Sequence, residues 1–280
     1  MIDLHVHSTF SDGSLTPEQL IAEAARLKLS AIALTDHDGM MGIESFLRAA
    51  ASSGVEAVPG VEISVDVKSG TLHMLGYYLD RHNGGVEEAL ARIRTGREER
   101  NQLILEKLNQ LGAGLTWEDV AKFAGEDVVG RPHFAQAMIE KGFVKNKEQA
   151  FDRYLAKGKP AYTDRVRLTV LDSIRMIRDA GGVAVLAHPA SLGLGRAALK
   201  TLVAELKAAG LQGIEAYYSE HSRPQTDLCL KLAAEFGLIV TGGSDFHGAA
   251  NPDVKLGRGF GDLAVPDDLM GPLRDLSHRH

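Results

Sequence analysis

Short apolar runs alternate with amphipathic helical patterns at both ends of this 280-residue chain, and that alternation restricts its fold more than any other feature. Residues 2–6, 31–34, 55–65, 72–79, 183–186, 213–218 and 238–241 read as strands. The helix after the first strand is well marked. Thr16-Pro17-Glu18-Gln19 supplies an N-cap, a proline at the first helical position and a glutamine three residues past the cap. A second helical stretch covers residues 42–53. Strand and helix in turn indicate an α/β protein with a parallel sheet or barrel. Residues 85–159 interrupt the pattern with helical signals alone, at 86–111, 116–123, 132–141 and 147–156. The expected organisation is therefore an α/β body of residues 1–84 and 160–280, with residues 85–159 a small all-helical insertion over the active site.

Composition narrows the class. Hydrophobic residues make up 44% and charged residues 24%, ordinary for a globular protein in water. No apolar run approaches the ~20 residues of a membrane helix. The first residues lack a basic segment followed by an apolar run, so no secretory leader is expected. Cys229, the only cysteine, lies between leucines and reads as a small core filler. These features favour a cytoplasmic enzyme without a membrane or an obligatory protein partner. A formal charge of −6 argues against a broad nucleic-acid surface and leaves room for a local basic patch.

Histidines and carboxylates fall where the strands end, the place at which barrels and open α/β sheets put their chemistry. His5-x-His7 closes the first strand and Asp12 follows in its loop. His37 follows the second, Glu62 ends or interrupts the third, and His73 lies in the fourth. His188 ends the fifth, and Asp245-Phe246-His247 ends the last. Residues two apart on a strand share a face, so His5 and His7 can grip one ion. Six histidines and three carboxylates exceed the needs of one ion and suffice for two or three. Imidazoles mixed with carboxylates suit Mn, Fe or Zn better than Ca or Mg. The expectation is two or three divalent ions, Mn2+ foremost, with Fe2+, Zn2+ or Mg2+ as alternatives. Neither a cysteine nucleophile nor a Gly-x-Ser-x-Gly elbow is present, and the glycine-rich stretches fit no dinucleotide or phosphate-loop fingerprint.

The chain resembles the polymerase and histidinol phosphatase family of metal-dependent phosphoesterases. The matching motifs are Asp3-Leu4-His5-Val6-His7-Ser8 with Ser11-Asp12-Gly13, Leu34-Thr35-Asp36-His37-Asp38, Pro59-Gly60-Val61-Glu62-Ile63, His73, Ala187-His188-Pro189 and Gly243-Ser244-Asp245-Phe246-His247. The resemblance implies a distorted seven-stranded (β/α)7 barrel with a trinuclear metal centre. It would assign His5, His7, Glu62 and Asp245 to one ion and Asp12, His37 and His247 to a second. Glu62, His73 and His188 would take the third, with Glu62 as a bridge. The helical insertion is similar to that of the branch acting on the 3′-phosphate of nucleoside 3′,5′-bisphosphates, whose members also trim short 5′-phosphorylated RNA. The implied partners are thus a nucleotide and, as an alternative, short oligoribonucleotides; a histidinol-phosphate-type phosphatase and an amidohydrolase-like C–N hydrolase are rivals. Direct attack of water on phosphorus is expected, with Asp12, His37 or His247 assisting the leaving group.

The insertion has its own signal. Leu90, Ile93, Ile104, Leu108 and Leu111 fall on one face of its first helix, and Arg97, Arg100 and Asn101 interrupt that stripe. Such groups at core-facing positions are costly unless they meet an anion or a cavity, and guanidinium forks suit phosphate oxygens. Gly130-Arg131-Pro132-His133 adds an arginine and a histidine at a helix start. Arg97, Arg100, Asn101, Arg131 and His133 are therefore expected to bind a second phosphate, whereas Arg92 and Arg94 read as a solvated face. His221 could meet substrate or close a loop. His82, His278 and His280 read as exposed, and Tyr77, Tyr78, Tyr217 and Tyr218 as barrel and interface packing, although one could stack on a base.

Overall fold

The structure is a computed structural model that describes residues 1–65, 72–80, 82–123, 129–164 and 167–277; His278 and His280 lie outside the described residues. Seven strands, β1 (Ile2–Val6), β2 (Ala31–Leu34), β3 (Glu56–Val65), β4 (Leu72–Tyr77), β5 (Val183–Leu186), β6 (Gly213–Tyr218) and β7 (Ile239–Gly243), form one sheet in sequence order. The sheet nearly closes into a barrel. Val6 bridges Phe246, His7 N–H donates to Phe246 O at 3.0 Å, and Asp245 N–H donates to His5 O at 2.8 Å.

The sheet is not wholly parallel, which corrects the sequence expectation. β1–β2–β3 and β5–β6–β7 are parallel, but β4 runs antiparallel to both β3 and β5. Connection length explains the reversal. Only residues 66–71 separate β3 from β4, too few for the crossover of a dozen or more that a parallel pair requires.

The chain divides into two compact units, Met1–Leu90 with Leu168–His280, and Ala91–Arg167. In the first, the helices are α1 (Pro17–Arg26), α2 (Ile43–Ala50), the first turns of α3 (Gly84–Gln110), α7 (Val170–Asp179), α8 (Arg196–Ala208), α9 (Arg223–Phe236) and α10 (Met270–Ser277). The rest of α3 belongs to the second unit, with α4 (Trp117–Ala121), α5 (Arg131–Glu140) and α6 (Lys147–Ala150). α1 begins with the capping box its sequence announces: Gln19 N–H donates to Thr16 Oγ1, and Thr16 N–H to Gln19 Oε1. In the first unit Ile2, Leu4, Ala33, Val58, Leu75, Val183 and Val185 share one core with Met270 and Leu273 of α10. Cys229 is buried in α9. In the second, Ile104 and Leu108 of α3 pack with Phe134 and Met138 of α5, Val120 and Leu155. Two sequence expectations change here. Residues 147–156 are not one helix: α6 ends at Ala150 and a wider turn follows, in which Ala156 N–H donates to Phe151 O five residues back. Leu111 falls beyond the last residue of α3 and is exposed.

Glycine is required where the sheet closes. A Cβ on Gly243 would lie 2.4 Å from both the backbone N and the Cβ of His5, inside any real contact distance. The obstacle is mostly backbone, so β1 and β7 must separate to admit it. Gly243→Ala is expected to lower stability by about 1–3 kcal/mol, the usual cost of overpacking, read as a lower urea midpoint in the presence of a chelator. An unchanged midpoint would show that the seam has slack.

Candidate metal centre

The closing seam sets the first donors in place. His5 lies within β1 and His7 just past its end; their ring centroids are 5.2 Å apart. The loop after β1 is anchored by the buried carboxylate of Asp36. Its Oδ1 accepts from Ser8 N–H and from the Ser11 hydroxyl, and its Oδ2 from the Ser8 hydroxyl, each at 2.7 Å. Asp3, also buried, does the same for the loop after β7, accepting from Ser244 N–H (2.8 Å), the Ser244 hydroxyl (2.5 Å) and Gly257 N–H (2.7 Å). Burial pushes the Asp3 carboxyl up to about 6, against the lowering effect of those bonds.

Glu62 and His73 reach the same rim from opposite strand directions. Glu62 sits inside β3 opposite Leu75, and His73 stands near the start of β4 opposite Ser64. Because β4 is reversed, its beginning lies at the rim where the parallel strands end. Three donor residues have backbone φ in or beside the left-handed region or flank one that does: His188 has φ 25°, Asp245 has φ 57°, and Asp38, next to His37, has φ 52°. Non-glycine residues adopt such angles infrequently, Asp and His more readily than most, and three of them fall at this rim.

The nine residues read as donors converge. His5, His7, Glu62 and Asp245 each offer an atom within 4.8 Å of the others, as do His7, Asp12, His37 and His247, and also His37, Glu62 and His73. His188 joins through Glu62: its Nε2 is 2.9 Å from Glu62 Oε1, which is also 2.7 Å from His73 Nδ1. Glu62 Oε2 lies 3.2 Å from His5 Nε2, 3.3 Å from His7 Nε2 and 3.1 Å from His37 Nδ1.

These residues fit divalent cations on an observation independent of any motif. His5 Nε2, His7 Nε2, Asp12 Oδ1, His37 Nδ1 and Asp245 Oδ1 are buried yet make no hydrogen bond of acceptable geometry. Buried polar atoms without partners are rare and costly, and five of them facing one another is the pattern of a cation site. The protonation balance agrees. Burial opposes charge on His7, but the carboxylates of Asp245 and Glu62 and the charge on Asp12 outweigh it and raise its pKa from 6.5 to about 10. His5 is likewise raised, Glu215, Glu62 and Asp245 prevailing over burial. His37 goes the other way, burial lowering it to about 4 in spite of Asp12 and Glu62. Burial would raise Glu62, but His73, His37 and His5 hold it well below the carboxylate range.

Several contributors carried no recognisable motif. The Tyr218 hydroxyl donates to Asp245 Oδ2 at 2.8 Å, so Tyr218 is more than the packing residue its apolar strand suggested. Glu215 in β6 bonds two of the candidate donors; a lone charge in a buried strand was its signal. His221 closes a loop, with Nδ1 2.9 Å from Ala216 O. Tyr77 donates to Leu4 O at 2.8 Å within the core, and His82 is exposed.

In the helical unit, Arg97, Arg100 and Asn101 of α3 are buried. Asn101 Nδ2 donates to Val129 O at 2.7 Å. Arg131 donates to Leu155 O at 3.3 Å and lies over the Tyr162 ring. Burial, then the like charges of Arg97, Arg131 and Arg167, depress the Arg100 guanidinium to about 9, and its Nε has no hydrogen-bond partner. His133 Nδ1 accepts from Gly130 N–H at 3.1 Å, so that nitrogen caps α5. Arg92 is exposed, as expected of a solvated face.

The electrostatics predict opposite pH responses with and without ions. His7, at about 10 in the fold against 6.5 ordinarily, stabilises the chelated protein fully below about pH 6.5 and ceases to do so as pH rises through about 10. The urea midpoint of chelated protein should therefore fall between about pH 7 and about pH 10. Ion binding must displace such protons, so affinity should rise over the same window and saturating divalent ion should offset the fall. Parallel pH profiles with and without ions would contradict this balance.

Comparison with known proteins agrees with the geometry. The PHP domain family matches over residues 3–157. A 3′,5′-nucleoside bisphosphate phosphatase of Chromobacterium violaceum is 35% identical over 96% of this chain and 92% of its own length. A 5′-3′ exoribonuclease of Haemophilus influenzae is 34% identical over 88% of this chain and 89% of its own. The crystal structure of a Bifidobacterium adolescentis protein assigned as a metal-dependent phosphoesterase aligns with TM-score 0.82 and 29% identity, over 98% of this chain and 96% of that one. The donor-lined rim, the near-closed barrel and these similarities lead to one conclusion: the chain belongs to the PHP-domain family of metal-dependent phosphoesterases.

Proposed function

We propose that the chain removes the 3′-phosphate of nucleoside 3′,5′-bisphosphates, using two or three divalent ions with Mn2+ foremost. In this reading His5, His7, Glu62 and Asp245 hold one ion, Asp12, His37 and His247 a second, and Glu62, His73 and His188 a third. The observation that carries the substrate is the arginine group of the helical unit. Arg97 and Arg100 are buried, and Arg100 is depressed by burial and by Arg97, Arg131 and Arg167. Like charges gathered away from water are stabilised by an anion, and guanidinium forks match phosphate oxygens. Arg97, Arg100, Arg131, Asn101 and His133 are proposed to bind the phosphate that is not cleaved. The likeness to the Chromobacterium violaceum phosphatase supports this assignment.

When bound, the ions supply positive charge for the phosphoryl oxygens and lower the pKa of the attacking water. The chain's residues do the rest. Glu62, enclosed by imidazoles, keeps its charge and orients them. Asp12 has a partly exposed side chain, with Oδ1 3.3 Å from His247 Nε2 and Oδ2 3.5 Å from His37 Nε2. That edge of the centre is proposed to move the proton to the leaving 3′-oxygen. Tyr218 fixes Asp245 through its hydroxyl.

A second reading, release of nucleotides from short 5′-phosphorylated RNA, draws on the Haemophilus influenzae relative and would use the same arginines for the 5′-phosphate. The deciding experiment measures turnover of adenosine 3′,5′-bisphosphate by Mn2+-loaded enzyme beside 3′-AMP, 5′-AMP, histidinol phosphate and a short 5′-phosphorylated RNA. Preference for the bisphosphate, yielding 5′-AMP, is expected; faster attack on RNA selects the second reading, and preference for histidinol phosphate sinks both. Arg100→Ala should cost about 10- to 100-fold in kcat/KM for the bisphosphate, the worth of one charge-assisted hydrogen bond, while a generic phosphate ester changes by less than about threefold. Equal loss on both substrates would remove Arg100 from substrate binding.

A further inference from the structure

Glu215 is the one carboxylate on β6, and both of its oxygens are committed. Oε1 is 3.0 Å from His5 Nδ1, and Oε2 accepts from the backbone N–H of His188 at 2.8 Å. Its side chain is fully buried, as is that of His5. One carboxylate thus touches two candidate donors, the imidazole of one in β1 and the main chain of the other in the loop after β5. The His188 contact falls on backbone in an unusual conformation, φ 25° and ψ 65°.

We infer that Glu215 is a positioning residue that fixes the tautomer of His5 and the backbone of His188, so that each presents Nε2 to a divalent cation. A carboxylate can only accept, so the neutral His5 imidazole must carry its proton on Nδ1. That leaves Nε2 with a free lone pair, aimed between Glu62 Oε2 at 3.2 Å and Asp245 Oδ1 at 3.4 Å. A parallel device acts on the second imidazole. The Ser191 hydroxyl donates to His188 O at 2.9 Å and therefore accepts from His188 Nδ1 at 3.0 Å, directing His188 Nε2 towards Glu62. Carboxylates and carbonyls behind metal-binding imidazoles set ring orientation and basicity in this way. The inference rests on the metal-centre reading and adds to it a residue outside the donor set.

The isosteric change Glu215→Gln separates positioning from packing. Its amide oxygen can serve only one of two donors. The His188 backbone N–H cannot become an acceptor, so the amide oxygen must face it and the NH2 must face His5 Nδ1. His5 then accepts at Nδ1 and carries its proton on Nε2, the atom needed by the ion. In equilibrium dialysis of the full chain against Mn2+, Glu215→Gln should weaken at least one binding step by about 10- to 100-fold. Mn2+ binding equal to wild type in a folded variant would overturn the inference and leave the metal centre standing. A wild-type chain that binds no divalent ion would overturn both. Should the variant fail to fold, the wild-type protein decides. With 15N-labelled histidine and Zn2+ bound, the His5 signal, identified by its loss in His5→Gln, should show a proton on Nδ1 and a ligated Nε2. A proton on Nε2 would refute the assignment.

Discussion

Five imidazoles surround a single buried carboxylate, and the arrangement of the first unit follows from that crowding. Glu62 is 1% exposed, yet His5, His7, His37, His73 and His188 all approach its two oxygens within 3.3 Å. An isolated charge so enclosed would be prohibitive, and only cations or imidazolium groups around it make it tolerable. Main-chain bonds prevent it from withdrawing: Glu62 N–H donates to Asp36 O, and Asp38 N–H donates to Glu62 O. The carboxylate is thereby tied to the loop after β2, which brings His37 with it. Asp3 and Asp36 perform the same service for the loops after β7 and β1 without reaching the centre themselves.

Much of this was legible in the sequence because the physics is local there. β1, β2, β5 and β6 are short, mostly apolar runs, and their limits coincide with those read from the pattern of the sequence. The donors could be named because histidine and carboxylate at the ends of such runs have no packing purpose. What escaped depended on contacts far apart in the chain. Tyr218 sits in an apolar strand, and nothing local tells whether its hydroxyl meets water, backbone or Asp245. Glu215 was visible as a charge inside a strand, but its partners come from residues 5 and 188. The turn at Phe151–Leu155 has the same periodicity as a helix over so few residues.

The candidate donors and the buried arginines lie in different stretches of chain. The donors all belong to the unit of Met1–Leu90 and Leu168–His280, whereas the buried arginines belong to Ala91–Arg167. A centre of ions and imidazoles recognises any phosphate ester, so discrimination must come from residues that contact the rest of the substrate. Under the proposed function, the helical unit would then carry the recognition of substrate while the donor-lined rim carries the chemistry.

The reversed strand imposes a rule of register. His73 faces the centre because β4 pairs with β3 in the register Ser64 to His73, Glu62 to Leu75. A shift of one residue would turn that side chain to the other face and bring Leu72 or Met74 forward. Helical crossovers between parallel strands absorb insertions and deletions gradually. The register offers no such latitude: a slip of one residue turns His73 to the other face, and a slip of two carries it about 7 Å along the strand, away from Ser64. The donor is thus held by the pairing of the two strands as much as by its own identity: the same residues in another register would leave Glu62 without that imidazole.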